Sequence, residues 1–245
     1  MKVRMTAPAI MLAALFVAIT VVAAGCAKRT GIQRAEKTTS SMQAVESNIR
    51  QTVAQIDATN AALAAVLDAK DSPDVKKTYD AYADNVNKME KSGSALLKQT
   101  NEMTAQGNDY FEEWQKSGST YTNPDIQKLS QERRNQLQQT FSEISQASPG
   151  VNGSLNAYLS DIKQIQTYLS NDLTPQGIAA ISPVARDTIQ KGDSVKSAVQ
   201  PMLAATARAR SEMSEGAAAG GSAGQSTGGS EGYQQNQQDQ QNMFR

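Results

Sequence analysis

The sequence predicts an all-α protein: an elongated antiparallel four-helix bundle or coiled-coil rod, closed by a disordered C-terminal tail. Three observations lead there. Apolar residues recur with alternating four- and three-residue steps over long runs, the spacing that keeps one helix seam facing a partner. No stretch holds a sustained period-two alternation of β-branched residues, so strands are not expected. The chain of 245 residues has 39% hydrophobic and only 5% aromatic residues, which suits narrow helical seams better than a thick globular core.

The first helix is expected from Ile32 to about Ala69. Met42, Ile49, Ile56 and Leu63 recur every seven residues, and Val45, Thr52, Val53, Val66 and Leu67 fill the seam between them. Asp71-Ser72-Pro73-Asp74 breaks this helix and starts the next, since proline suits a first turn and not an interior. The second helix carries the longest pattern: Val75, Tyr79, Tyr82, Val86, Met89, Gly93, Leu96, Thr100, Met103, Gly107, Tyr110 and Trp114. At 1.5 Å per residue it spans roughly 65 Å. Gly93 and Gly107 fall on its seam, where they allow close approach of a partner or a bend.

Lys116 to Thr122 reads as a polar turn. Asn123 caps a third helix with Pro124 in its first turn. Ile126, Leu129, Arg133, Leu137, Phe141 and Ile144 form its seam, and Val151, Leu155, Tyr158, Ile162, Ile165 and Leu169 resume it after Pro149-Gly150. With almost no loop between the two parts, one kinked helix or two nearly collinear ones are expected. Asn171 to Pro175 is the next turn, with Thr174 as cap. Ile178, Ile181, Ala185, Thr188, Val195, Val199 and Met202 make the last seam, which Pro201 is expected to kink or weaken. From Glu215 the chain is rich in Gly, Ser, Ala and Gln and is expected to be disordered. The organisation is therefore residues 1–25, 26–30 as a short tether, 31–214 as the helical domain, and 215–245 as tail.

The first segment reads as an export signal. Lys2 and Arg4 precede an uncharged, mostly apolar run from Ala7 to Ala24, and the run closes in Val22-Ala23-Ala24-Gly25-Cys26. The close resembles the lipobox of bacterial lipoproteins, with Ala23 where leucine is usual. That resemblance implies diacylglycerol on the thiol of Cys26 and acylation of the new N-terminus. Ala27 is not the aspartate associated with retention in the inner membrane, so in a Gram-negative cell the resemblance implies the outer membrane, facing the periplasm. Two other readings of the segment stay open: an ordinary cleaved signal that leaves Cys26 as a free thiol, and an uncut membrane helix, because about 18 apolar residues is near the spanning limit.

Composition narrows the function. The sequence holds 24 basic and 24 acidic residues, no histidine and one cysteine. Setting aside Lys2 and Arg4 leaves 22 basic against 24 acidic residues from Cys26 onward, a net charge of −2. Nucleic-acid binding, which needs a basic excess, is not expected. Without histidine no Ser-His-Asp or Cys-His constellation can form, and no phosphate loop, paired-cysteine metal site or dinucleotide fingerprint is present. No enzyme, cofactor or metal is expected. Glu112 and Glu113 are adjacent and diverge on a helix, so they read as solvated charge, as do Glu132 and Arg134. Arg133 falls on the seam and can pair across the bundle. Lys76-Lys77 and Arg208 with Arg210 are too sparse for a basic binding surface.

The densest aromatic group is Tyr110, Phe111 and Trp114, with Tyr121 close by. Its plain reading is an apolar plug at one end of a thin core. Its functional reading is a surface for a glycan or a partner helix. The partners expected are the lipid bilayer through acylated Cys26 and an envelope protein or peptidoglycan, with self-association also open. An interaction or scaffold module is the leading functional expectation, and a small-ligand sensor or carrier with a pocket between helices is the alternative.

Several motifs also resemble one bacterial family of uncharacterised secreted helical proteins, the domain of unknown function numbered 2959. They are Gly31-Ile32 with Arg34, Phe111-Glu112-Glu113-Trp114, Arg133-Arg134 with Leu137, Tyr168-Leu169-Ser170-Asn171-Asp172-Leu173, and Ile178-Ala179-Ala180-Ile181. The resemblance covers about Gly31 to Thr206. It implies an all-α fold and export, and it brings no activity.

Overall fold

A computed structural model describes residues 30–221, with side chains described for residues 30–214. The signal-like segment, Cys26 and the end of the tail lie outside the described residues. Four helices make up the fold: α1 (Gly31–Asp68), α2 (Val75–Gly118), α3 (Pro124–Asn171) and α4 (Pro175–Gly221). Their lengths, 38 to 48 residues, correspond to about 57–72 Å of helix axis. Among the described residues α1 packs on α2, α2 on α3, α3 on α4 and α4 on α1. The helices therefore form a closed ring of antiparallel neighbours, as short connections require.

This arrangement gives the rod two different ends. The start of α1, the turn 119–123 and the close of α4 share one, which we call the tether end. The turns 69–74 and 172–174 share the other.

Each helix start is set locally. Thr30 accepts from the amide of Gln33 at 3.2 Å while the Gln33 side chain accepts from the Thr30 amide at 3.1 Å, a reciprocal cap that satisfies two otherwise orphaned donors. Asn123 Oδ1 accepts from the amides of Asp125 and Ile126, and Pro124 takes the first helical position. Thr174 caps α4 through the amide of Gly177 at 3.1 Å. Pro73 differs from expectation. It lies ahead of α2, inside a turn in which the Val75 amide donates to the Ser72 carbonyl at 3.2 Å, and Asp74 makes no side-chain cap.

The core is one continuous seam. Met42, Ile49, Ile56 and Leu63 from α1 meet Tyr82, Val86, Met89, Leu96 and Met103 from α2. Phe141, Ile144, Leu155, Tyr158, Ile162, Val195, Val199 and Met202 close it from α3 and α4. The seam glycines accept side chains from α3. A Cβ on Gly107 would lie 2.0 Å from Phe141 Cζ, and one on Gly93 would lie 2.9 Å from Leu159 Cδ1.

Polar groups cross-link the seam. Tyr82 donates to the Ile162 carbonyl at 2.7 Å. Tyr158 donates to Asn60 Oδ1 at 2.8 Å, and Asn60 Nδ2 donates to the Ile189 carbonyl at 3.1 Å. Asn60 thus ties α1 to both α3 and α4 from the middle of the core. Burial raises the pKa of both phenols above the ordinary tyrosine value, because the low-dielectric interior disfavours the phenolate.

Some sequence expectations hold and others need correction. α3 runs through Pro149 as one helix, one of the two forms expected of it, and α4 runs through both Pro183 and Pro201. All three prolines are on the solvent side, where the carbonyl left without its helical partner can be hydrated. Ile126 and Leu129 continue the α3 seam by spacing but are exposed. Near the end of α2 the seam steps from Gly107 to Phe111 and bypasses Tyr110, because 3.6 residues per turn drifts away from a strict 3.5 repeat. The α4 backbone continues past residue 214 to Gly221, consistent with the high helix propensity of Ala217 to Ala219.

Candidate functional site

The predicted aromatic group lies at the tether end, and the structure divides it. Phe111 turns into the core against Phe141, with ring centroids 5.6 Å apart. Tyr110 and Trp114 are half-buried and pack edge to face, 5.6 Å apart. Burial raises the Tyr110 pKa, while Arg34 and Arg133 pull it the other way. Trp114 Nε1 donates to Ser130 Oγ at 2.9 Å, which satisfies the indole and fixes its ring against α3.

The plug is therefore incomplete. A cleft of about 270 Å³ opens between all four helices. Gly31, Ile32 and Ala35 line it from α1, Tyr110 and Trp114 from α2, Arg133 and Leu137 from α3, and Glu212 and Met213 from α4. Its surface is mainly apolar, with one guanidinium at the edge. Arg133 donates to the Glu212 carbonyl at 2.8 Å and to Gln136 Oε1 at 3.1 Å, so the cross-bundle partner expected of it is a backbone oxygen. On the other side of Trp114 a second, polar cleft of about 190 Å³ lies between α2 and α3, lined in part by Gln115, Gln127, Gln131 and Arg134. The cleft between the four helices can hold an apolar or aromatic group with a polar edge.

Six of the charged residues singled out in the sequence, Lys76, Glu112, Glu113, Glu132, Arg208 and Arg210, are spent on ion pairs. Glu112 and Glu113 both meet Lys116, at 2.7 and 3.3 Å. The hydrogen bond to Lys116 lowers the Glu112 pKa and raises that of its partner. Glu132 meets Lys128 at 3.9 Å, and Lys76 meets Asp80 at 2.7 Å. Arg208 pairs with Glu143 of α3. Arg210 pairs with Glu46 of α1, its Nε 2.9 Å from Oε1, and Glu46 is buried.

Two features escaped the sequence reading. One is the Glu46–Arg210 pair; the other is Asn60. The available signal for Asn60 was a polar residue at a seam position between Ile56 and Leu63. Among the described residues no group of three or more His, Cys, Asp or Glu residues is placed to hold a metal ion. No helix among them is long and apolar enough to cross a membrane.

No curated protein and no solved structure matches this chain. A family model does match, over residues 21–215. It stops at the start of the Gly- and Ser-rich tail, short of the close of α4 at Gly221. The chain belongs to the family described as protein of unknown function, DUF2959.

Proposed function

We propose that this protein is a lipid-anchored, non-enzymatic stalk of the bacterial cell envelope that holds a partner at a fixed distance from a membrane. The observation that carries the reading is a pairing. A basic, apolar segment closes in Val22-Ala23-Ala24-Gly25-Cys26, and an antiparallel bundle begins within a few residues of it, at Gly31. Two or three acyl chains on Cys26 bury enough methylene groups, at about 0.8 kcal/mol each, for lasting attachment. A bundle roughly 60 Å long then carries the turns 69–74 and 172–174 well away from the bilayer. With Ala27 after the cysteine, the reading places the protein in the outer membrane of a Gram-negative cell, facing the periplasm. An envelope protein or peptidoglycan is the partner proposed.

The test is Cys26→Ser. The variant is expected to accumulate as an unprocessed precursor and to lose lipid labelling of the mature band. Crosslinking of the wild-type protein in cells is expected to yield one recurrent envelope component. Unchanged processing and labelling in the variant would contradict the anchor.

A second reading has an observation of its own: the cleft of about 270 Å³ at the tether end favours a carrier or sensor for a small apolar ligand. It predicts a melting temperature raised by one chemical class of metabolite and unmoved by others.

A further inference from the structure

We infer that the tether end of the bundle is itself seated in the interfacial layer of a bilayer, through Ile126 and Leu129 of α3. The inference rests on the reading of Cys26 as a lipid anchor and adds a protein–lipid contact to it. Among the described residues five large hydrophobic side chains are exposed, and four belong to this end: Ile32 at 47%, Tyr121 at 42%, Ile126 at 48% and Leu129 at 65%. The fifth, Val184, lies toward the other end.

Ile126 and Leu129 are exposed for a structural reason. They hold the same seam spacing as Arg133 and Leu137, and three residues apart they share a helix face. Opposite them, however, α1 has not yet begun. Gly31 and Ile32 share their cleft with Arg133 and Leu137. Ile126 lies seven residues outward from Arg133, about 10 Å along the axis. The apolar seam of α3 thus runs past the point where a fourth helix would cover it.

The chain ahead of α1 indicates what covers it. Cys26 is separated from the cap residue Thr30 by a tether that can span at most about 14 Å fully extended. Acyl chains on Cys26 hold this end of the bundle within that distance of hydrocarbon. Tyr121 at the same end is an exposed amphipathic ring of the kind that settles at headgroup level, and Trp114 lies against Ser130 one turn further in. Of the carboxylates at this end, Glu112 and Glu113 share Lys116 and Glu132 meets Lys128, while Asp125, beside Ile126, sits in the first turn of α3, where the helix dipole favours its charge.

Trp114 is the single tryptophan of the sequence, so it reports on this end directly. The lipidated protein is reconstituted into vesicles of phosphatidylethanolamine and phosphatidylglycerol, with and without bromine atoms near the top of the acyl chains. Flotation is scored first. Trp114 emission is then expected to be quenched by the brominated lipid. Ile126→Asp/Leu129→Asp is expected to recover most of the emission while still floating through its anchor and keeping the wild-type circular dichroism and melting temperature.

Equal emission from the floating wild-type protein in both kinds of vesicle would overturn the inference and leave the anchor intact. The same holds if the double variant, unquenched in either background, shows instead a lower melting temperature or the loss of a dimer; the seam is then covered by the protein's own tether or by a second copy. Failure of the wild-type protein to float would overturn the anchor reading and this inference with it.

Discussion

A Cβ added at Gly107 would sit 2.0 Å from Phe141 Cζ, whereas one added at Gly150 would meet nothing within 4 Å. Both glycines lie inside helices, so alanine brings each the same gain in helix propensity, up to about 1 kcal/mol. At Gly107 that gain is outweighed by overpacking, which costs about 1–3 kcal/mol. Gly107→Ala is therefore expected to lower the denaturant midpoint and Gly150→Ala to raise it, with the slope of the transition unchanged. Shifts of the same sign at both positions would contradict the packing described. The sequence placed Gly107 on the seam by its spacing, but what fills the space beside it depends on the register of α3 against α2, which no single-helix pattern contains. Asn60 was hidden in the same way. A polar residue in a heptad reads as a flaw until Tyr158 and the Ile189 carbonyl arrive from other helices to satisfy it.

Between elements, the buried tyrosines do the cross-linking. Tyr82 of α2 and Tyr158 of α3 are both held protonated by burial, with folded-state pKa values above the ordinary value of 10.0. A raised folded value means that this stabilisation is fully present below about pH 10 and is lost as pH climbs above it, because the unfolded chain then releases protons that the folded chain retains. The urea midpoint is expected to fall beyond about pH 10. Tyr82→Phe is expected to make that fall shallower, at a neutral-pH cost of about 1 kcal/mol for the lost hydrogen bond to Ile162. An alkaline fall equally steep in the variant would show that Tyr82 does not carry it.

Element boundaries were largely legible, since Asn123, Thr174 and the heptads fixed them locally. The prolines were legible only in part. Whether an interior proline breaks a helix depends on which face it occupies, and Pro149, Pro183 and Pro201 all fall on the solvent face. The exposure of Ile126 and Leu129 was equally hidden, because it arises from unequal helix ends and not from their own spacing.

The ring order of four antiparallel helices gives the whole molecule its polarity. The end that follows Cys26 carries the divided aromatic group and an uncovered apolar seam, and the far end carries two short turns. Length and helical class were readable from the sequence, because spacing alone sets both. The closing contact of α1 on α4 was not, since an open chain of two hairpins would show the same heptads. Ion pairs across that contact, Glu46–Arg210 and Asp57–Lys196 at 2.9 and 2.6 Å, are what distinguish the closed ring.

The most direct test is a pulsed electron paramagnetic resonance distance between spin labels at Asp71→Cys and Gln176→Cys, in the Cys26→Ser background. With helices about 10 Å across, the closed bundle predicts a single narrow distribution centred near 20 Å. A broad distribution, or one centred beyond about 40 Å, twice the width of such a bundle, would contradict the closed ring of four antiparallel helices.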